Sequence, residues 1–108
     1  MNETSASLLI VDGDREFAAM LAEQAAARSY VVRTVASVGE AIDLIGRVAF
    51  DAILVDLAPG AETAFELLAQ LKRLAADTEV VVMSDRLSMA TTIQWFDPEA
   101  FAFVRKSE

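Results

Sequence analysis

The sequence contains no cysteine and no histidine among its 108 residues. The absence of cysteine excludes disulfide bonds, thiolate catalysis and zinc sites built from cysteine. The absence of histidine excludes a phosphohistidine carrier, an imidazole general base and a histidine-ligated metal. Any chemistry must therefore come from carboxylates, hydroxyl groups and lysine.

Basic residues are scarce: Lys and Arg total 9 against 17 Asp and Glu, which gives a formal net charge of −8. This charge opposes contact with a phosphate backbone, so we expect no direct nucleic-acid partner. No apolar run approaches the roughly 18 residues of a membrane span, and residues 1–7 are polar, unlike a signal peptide. With 55% hydrophobic residues, the sequence predicts one cytoplasmic domain with a packed core and no membrane contact.

Five short apolar runs alternate with four segments of helical periodicity, an order typical of parallel strands joined by helical crossovers. The sequence predicts an α/β fold, a doubly wound parallel sheet of five strands. The predicted strands are Ser7–Val11, Tyr30–Val35, Asp51–Asp56, Glu79–Ser84 and Ala100–Val104. The predicted helices are Arg15–Arg28, one that begins after Ser37, one from the Pro59–Gly60 loop to Ala76, and Ser88–Phe96.

Local signals fix the starts of two helices and suggest which faces turn inward. Asp14 is placed to cap the first helix, and Ser37 with Glu40 forms a capping box for the second. Residues at helical spacing form one stripe in the first helix and the inward faces of the next two. The stripe is Phe17, Met20, Leu21 and Gln24, and the inward faces are Val38, Ala41, Ile42 and Ile45 in the second helix and Phe65, Leu68, Leu71 and Leu74 in the third.

Polar residues lie at the carboxyl ends of four of the five predicted strands. Parallel sheets place their sites beyond these ends, where the sequence has Asp12, Asp14, Asp56, Ser84, Asp85 and Lys106. Converging carboxylates need a cation, and a few oxygen ligands with room for water suit Mg²⁺. An aspartate beside that metal can attack phosphorus, a serine can bind a transferred phosphoryl oxygen and a lysine can pair with another. The pattern predicts phosphoryl transfer onto Asp56.

In order and spacing, these segments resemble the receiver domain of bacterial two-component response regulators, the CheY-like family. The matching segments are Leu8–Asp12, Phe50–Asp56, residues 66–68, Val81–Ser84 and Ala100–Lys106. The resemblance covers nearly the whole chain. It implies a flavodoxin- and CheY-like architecture, and a signalling phosphoprotein rather than an enzyme.

The resemblance also implies residue roles. Asp56 would take the phosphoryl group from a histidine kinase, a phosphotransfer protein or a small phosphodonor. Ser84 would follow the phosphoryl group, Lys106 would pair with it, and Phe103 would move with it as the packing readout. Mg²⁺ would be held by Asp12, Asp56 and the backbone carbonyl of Ala58, with Asp14 as a further candidate ligand.

Two of the four departures from the family pattern bear on the chemistry and leave alternatives open. Gly13 replaces the second member of the acidic pair, and Asp85 adds negative charge beside the phosphoryl position, so a weakened Mg²⁺ site is expected. One alternative is a pseudo-receiver that binds partners without phosphorylation. Another is a haloacid-dehalogenase-type phosphatase with Asp12 as nucleophile and Asp14 as general acid, although only two residues follow Lys106, where that family needs a further acidic pair.

The predicted fold lacks the fifth helix that would cover one face of the sheet. Residues 1–108 are expected to form one receiver domain at the N-terminal part of a longer signalling protein. A bare apolar face is unusual on a monomer, so a covalently linked output domain or a second copy is expected to cover it. Trp95 is the better candidate for a partner contact on the fourth helix, because Phe96 shares a stripe with Met89 and Ile93.

Overall fold

A computed structural model describes residues 6–56, 69–84 and 102–105, with the side chains of residues 84 and 102–105 outside the description. The strands form one parallel sheet in the order β2-β1-β3-β4-β5. No helix in these ranges is long and apolar enough to cross a membrane. The strands are β1 (Ser7–Val11), β2 (Val31–Val35), β3 (Ala52–Asp56), β4 (Glu79–Ser84) and β5 (Ala102–Arg105). The helices are α1 (Arg15–Ala27), α2 (Val38–Ile45) and α3, of which residues 69–74 are described.

The predicted doubly wound sheet is confirmed, with small shifts at its ends. β1 and β4 have the predicted bounds, whereas β2 and β3 each begin one residue later than predicted. β5 begins at Ala102 rather than Ala100 and ends at Arg105. The predicted helix Ser88–Phe96, with Trp95, lies outside the described residues, as do Phe65 and Leu68 and the chain after β5.

Alternate residues of the central strands enter two cores, one on each face of the sheet. The larger core lies under α2 and α3, and the smaller one lies under α1. Because side chains alternate along a strand, both faces of β1 are buried, which explains its unbroken apolar run. The larger core contains Leu9, Val11, Val38, Ala41, Leu44, Phe50, Ile53, Val55, Leu71, Val80 and Val82. The smaller core contains Leu8, Ile10 and Ala18, with Leu21, Ala22, Ala25, Val32, Ala52 and Leu54 partly buried around it.

Two helical faces differ in part from their predictions, and that of α2 is confirmed. In α1 the buried residue is Ala18, while Met20 is 43% exposed and Gln24 is exposed, because the alanine-rich face lies against the sheet. In α2 the predicted Val38 and Ala41 are buried, Ile42 and Ile45 pack partly buried against the larger core, and Leu44 is buried as well. Leu74 of α3 is 58% exposed, since it is the last helical residue before the turn at residues 75–77.

Hydrogen bonds tie the segments together at the amino edge of the sheet. The Ser7 backbone N–H donates to Asp51 Oδ2 at 2.7 Å, and the Asp51 N–H donates to the Ser7 carbonyl at 3.0 Å. The buried Thr78 hydroxyl donates to the Phe50 carbonyl at 2.9 Å, and Lys72 Nζ donates to the Thr78 carbonyl at 2.8 Å. These contacts hold the entries to β1, β3 and β4 at one edge, so the strands end together at the other.

Candidate phosphorylation site

The strand register places Asp12 and Asp56 side by side at the carboxyl edge of the sheet. Val11 of β1 pairs with Val55 of β3. The residues that come next, Asp12 after β1 and Asp56 at the end of β3, therefore lie beside each other. Neighbouring strands are about 4.8 Å apart, which is close enough for two carboxylates to share one cation. The two residues on which the predicted chemistry most depends are therefore brought together by backbone pairing alone.

The same register extends the site across the next two strands. Asp56 pairs with Met83, so Ser84 lies one position further along β4. Ser84 in turn pairs with Arg105, the residue before Lys106. The side chain of Ser84 and residues Ala58, Asp85 and Lys106 lie outside the described residues, and their roles stay predictions.

Asp12 is the most buried acidic residue of the site, with 3% of its surface exposed. Its backbone N–H donates to the Val35 carbonyl at 3.0 Å, which extends the pairing of β1 with β2 by one residue. Its Oδ1 accepts the Asp14 backbone N–H at 2.8 Å. A hydrogen bond to a carboxylate offsets part of the cost of burying it. Asp12 is thus held in a fixed orientation at the end of its strand.

Asp14 has a structural task at the start of α1. Its Oδ1 accepts the backbone N–H of Phe17 at 3.1 Å, and its backbone is extended, as expected of an N-cap. The predicted cap is therefore confirmed. The predicted role of Asp14 as a metal ligand stays a prediction.

Gly13 has room for a side chain. A Cβ placed there would meet only the Ala36 carbonyl oxygen, at 3.7 Å, which is an ordinary van der Waals contact. The backbone of Gly13 is also outside the left-handed region that favours glycine. The missing second carboxylate is therefore a chemical difference of this site that the local fold does not require.

A cation site here would rest on two carboxylates. Within the described ranges, no group of three or more acidic side chains is placed to hold a metal ion. Mg²⁺ in proteins commonly keeps several waters and takes one or two carboxylates, a requirement that Asp12 and Asp56 fit. The donor set suits a hydrated magnesium ion, and the weakening of such a site by Gly13 stays a prediction.

A cleft of about 380 Å³ beside Asp12 was not predicted from the sequence. It opens between α1, the end of β2 and the start of α2, and Arg15 of α1 lines it together with Asp12. The one feature of the sequence that points to this cleft is Arg15, which directly follows residues 12–14 with their two aspartates. The lining residues are Asp12, Arg15, Ala18, Ala19, Thr34, Val35, Ala36 and Glu40.

Solved structures with the same fold include receiver proteins from several organisms. A response regulator from Burkholderia pseudomallei, with a phosphorylated aspartic acid, calcium ion and citrate, is 31% identical, with a TM-score of 0.82. The match covers 96% of this chain and 61% of that one, so this chain spans less than two thirds of its length. Chemotaxis protein CheY4 of Vibrio cholerae is 21% identical with a TM-score of 0.80, and the match covers 95% of this chain and 88% of that one.

Another similar structure is a CheY-like receiver domain protein from Methanospirillum hungatei, 21% identical with a TM-score of 0.82, where the match covers 95% of this chain and 82% of that one. Among curated proteins, none matches this sequence. The family model of the response regulator receiver domain matches residues 8–108, which include every strand of the sheet except the first residue of β1. The chain therefore belongs to the response regulator receiver domain family.

Proposed function

We propose that Asp56 accepts a phosphoryl group in two-component signalling, with Mg²⁺ held by Asp12, Asp56 and the backbone carbonyl of Ala58. The observation that carries the proposal is the register that sets Asp12 beside Asp56 at the carboxyl edge. Asp12 is 3% exposed and oriented by the Asp14 backbone, so its carboxylate is preorganised for a cation. Asp56 is half-buried at the end of β3.

The proposed step is a displacement at phosphorus. A carboxylate oxygen of Asp56 forms the new O–P bond, while the bond from phosphorus to the donor's nitrogen or oxygen breaks and the donor keeps that electron pair. When bound, Mg²⁺ supplies positive charge to the phosphoryl oxygens. The Ser84 hydroxyl donates a hydrogen bond to one transferred oxygen, and the Lys106 ammonium group pairs with another.

The proposed output is a change at the surface formed by β4 and β5. Phe103 of β5 pairs with Val82 of β4, which precedes Ser84 by two residues. A serine drawn toward a new phosphoryl group would alter the packing space beside it, and Phe103 would follow. The surface around the last helix and strand would exist in two states. Phosphorylation of Asp56 by a histidine kinase would switch it from one state to the other.

Apolar side chains on the α1 face of the sheet support the proposed partner contact. Ala52, Leu54 and Val81 are half-buried, whereas Val80 and Val82, which face the other way on β4, are buried. A covalently linked output domain or a second copy of the chain would bury them further. Size-exclusion chromatography with light scattering separates these two partners, because only the second makes this chain a dimer by itself.

The magnesium requirement tests the proposal. We expect the wild-type protein to gain a phosphoryl group from acetyl phosphate with Mg²⁺ present and at least tenfold more slowly in EDTA. Asp12→Asn, which removes a charged ligand, should behave in Mg²⁺ as the wild type does in EDTA. Asp43→Asn, an exposed carboxylate of α2, is the control and should leave the rate unchanged. Transfer that is equally fast in EDTA would contradict the proposed metal site.

A second candidate is a pseudo-receiver that binds partners without phosphorylation. The observation that favours it is Gly13, which removes a carboxylate where the fold leaves room for one. The two candidates share the fold and differ only in whether Asp56 reacts. A folded protein that never gains a phosphoryl group would favour the pseudo-receiver. The family match favours both over the phosphatase interpretation.

A further inference from the structure

Arg15 is a cation that lines the same cleft as Asp12, one of the two proposed carboxylate ligands of Mg²⁺. It is the first residue of α1, it is exposed, and it lines the same cleft as the buried Asp12. Among the described residues, its guanidinium group has no ion-pair partner and no side-chain hydrogen bond. Two carboxylates, Asp12 and Glu40, line the same cleft, and Arg15 forms a close ion pair with neither.

The position of Arg15 differs from that of the other described basic side chains. The helices of a doubly wound sheet run opposite to the strands, so residues at helix carboxyl ends lie at the amino edge of the sheet. Arg28 follows α1, Arg47 follows α2, and Lys72 and Arg73 lie in the last turn of α3. Arg33 lies within the edge strand β2. Of the basic residues whose side chains the structure describes, Arg15 alone lies at the carboxyl edge; Arg105 ends β5 at the same edge, with its side chain outside the description.

We propose that Arg15 lowers the affinity of the site for Mg²⁺ and so sets the magnesium concentration at which Asp56 reacts. The inference rests on the proposed function. The positive charge of Arg15 repels a divalent ion bound to Asp12, and because Arg15 is exposed the repulsion is strongest at low ionic strength. Gly13 acts in the same direction, because it removes a negative ligand. The two residues together make a receiver with a high magnesium threshold.

A magnesium titration followed by NMR tests the role of Arg15 without any phosphoryl transfer. The shifts of the Gly13 and Asp14 backbone amides report binding at Asp12. At low ionic strength, we expect Arg15→Gln to lower the dissociation constant for Mg²⁺ roughly three- to tenfold, as Coulomb repulsion between a divalent and a monovalent charge in a shared cleft predicts. The difference should shrink in about 0.5 M salt, because exposed charges are screened.

Two further variants separate charge from other effects. Arg15→Lys keeps the charge and should leave the wild-type dissociation constant unchanged. Arg33→Gln removes an exposed cation from β2 away from the site and should also leave it unchanged. If Arg15→Lys lowers the dissociation constant for Mg²⁺ as much as Arg15→Gln does, the electrostatic role is overturned. Both variants would then act through the loss of the guanidinium group rather than through the loss of charge.

The outcomes also distinguish this inference from the proposed function. If the wild type binds Mg²⁺ and Arg15→Gln binds it with the same affinity, the role of Arg15 is wrong and the metal site stands. If the amide resonances of neither the wild type nor Gly13→Asp shift at any Mg²⁺ concentration, both the metal site and the role of Arg15 are wrong. If Arg15→Gln binds Mg²⁺ more tightly than the wild type, and Arg15→Lys and Arg33→Gln do not, both are supported.

Discussion

At the scale of single residues, the site depends on which positions carry a carboxylate. The neighbouring positions of Asp12 and Asp56 could be predicted from the sequence, because each lies at the end of an apolar strand and parallel strands bring such ends together. The cap formed by Asp14 was equally predictable from its place before a helical segment. Arg15 was not, since its position in the cleft depends on how α1 lies against β2 and α2.

Gly13→Asp should strengthen magnesium binding. The substitution adds a carboxylate where a Cβ fits at 3.7 Å from the Ala36 carbonyl, so the gain should not be offset by a clash. We expect the dissociation constant for Mg²⁺ to fall about tenfold, measured by isothermal titration calorimetry, as one more charged oxygen ligand predicts. Gly46→Asp adds the same charge after α2, at the opposite edge of the sheet, and is the matched control. Equal affinity in Gly13→Asp and the wild type would count against a degraded metal site.

Ser29 marks the one left-handed backbone position among the non-glycine residues described, with φ of 74°. It ends α1 in a Schellman motif, in which the Tyr30 N–H donates to the Ala25 carbonyl at 3.1 Å and the Ser29 N–H donates to the Ala26 carbonyl at 2.9 Å. Glycine adopts this conformation without a steric cost from Cβ.

Ser29→Gly should therefore stabilise the protein by about 0.5–1 kcal/mol, the saving in left-handed strain less the added flexibility of the unfolded chain. The measurement is the free energy of unfolding from urea denaturation. Ser29→Ala retains a Cβ and should show no such gain. A loss of stability in Ser29→Gly would mean that the serine side chain has a role beyond capping.

At the scale of elements, the strands were predicted more accurately than the helical faces. A continuous apolar run such as that of β1 predicts a strand that is covered on both faces. The bounds of the strand then follow from where the apolar run begins and ends. Helical faces depend on the direction from which the helix meets the sheet. In α1 small residues such as Ala18 allow close packing, and the larger Met20 points away, which a rule based on side-chain size misses.

Leu71 and Leu74 of α3 form a matched pair for testing the packing. Leu71 is fully buried in the larger core, and Leu74 is 58% exposed one turn later. We expect Leu71→Ala to lower the free energy of unfolding by about 2–5 kcal/mol and Leu74→Ala by less than about 1 kcal/mol, both measured by urea denaturation. Similar losses in the two variants would show that Leu74 is covered in solution, for example by a partner.

At the scale of the whole molecule, the sheet has a core on each of its faces. Among the described residues, the core under α2 and α3 contains eleven buried apolar residues and the core under α1 contains three. The sequence predicts an incompletely covered face, and this stays a prediction, as does the linked domain or second copy that would cover it.

The central claim is that Asp56 accepts a phosphoryl group, and the intact mass of the protein tests it most directly. Wild type and Asp56→Asn are incubated with Mg²⁺ and acetyl phosphate, beside a receiver domain that is known to be labelled. The account predicts one added phosphoryl group on the wild type and none on Asp56→Asn. An unmodified wild type beside a labelled control domain, or equal labelling of wild type and Asp56→Asn, would contradict it.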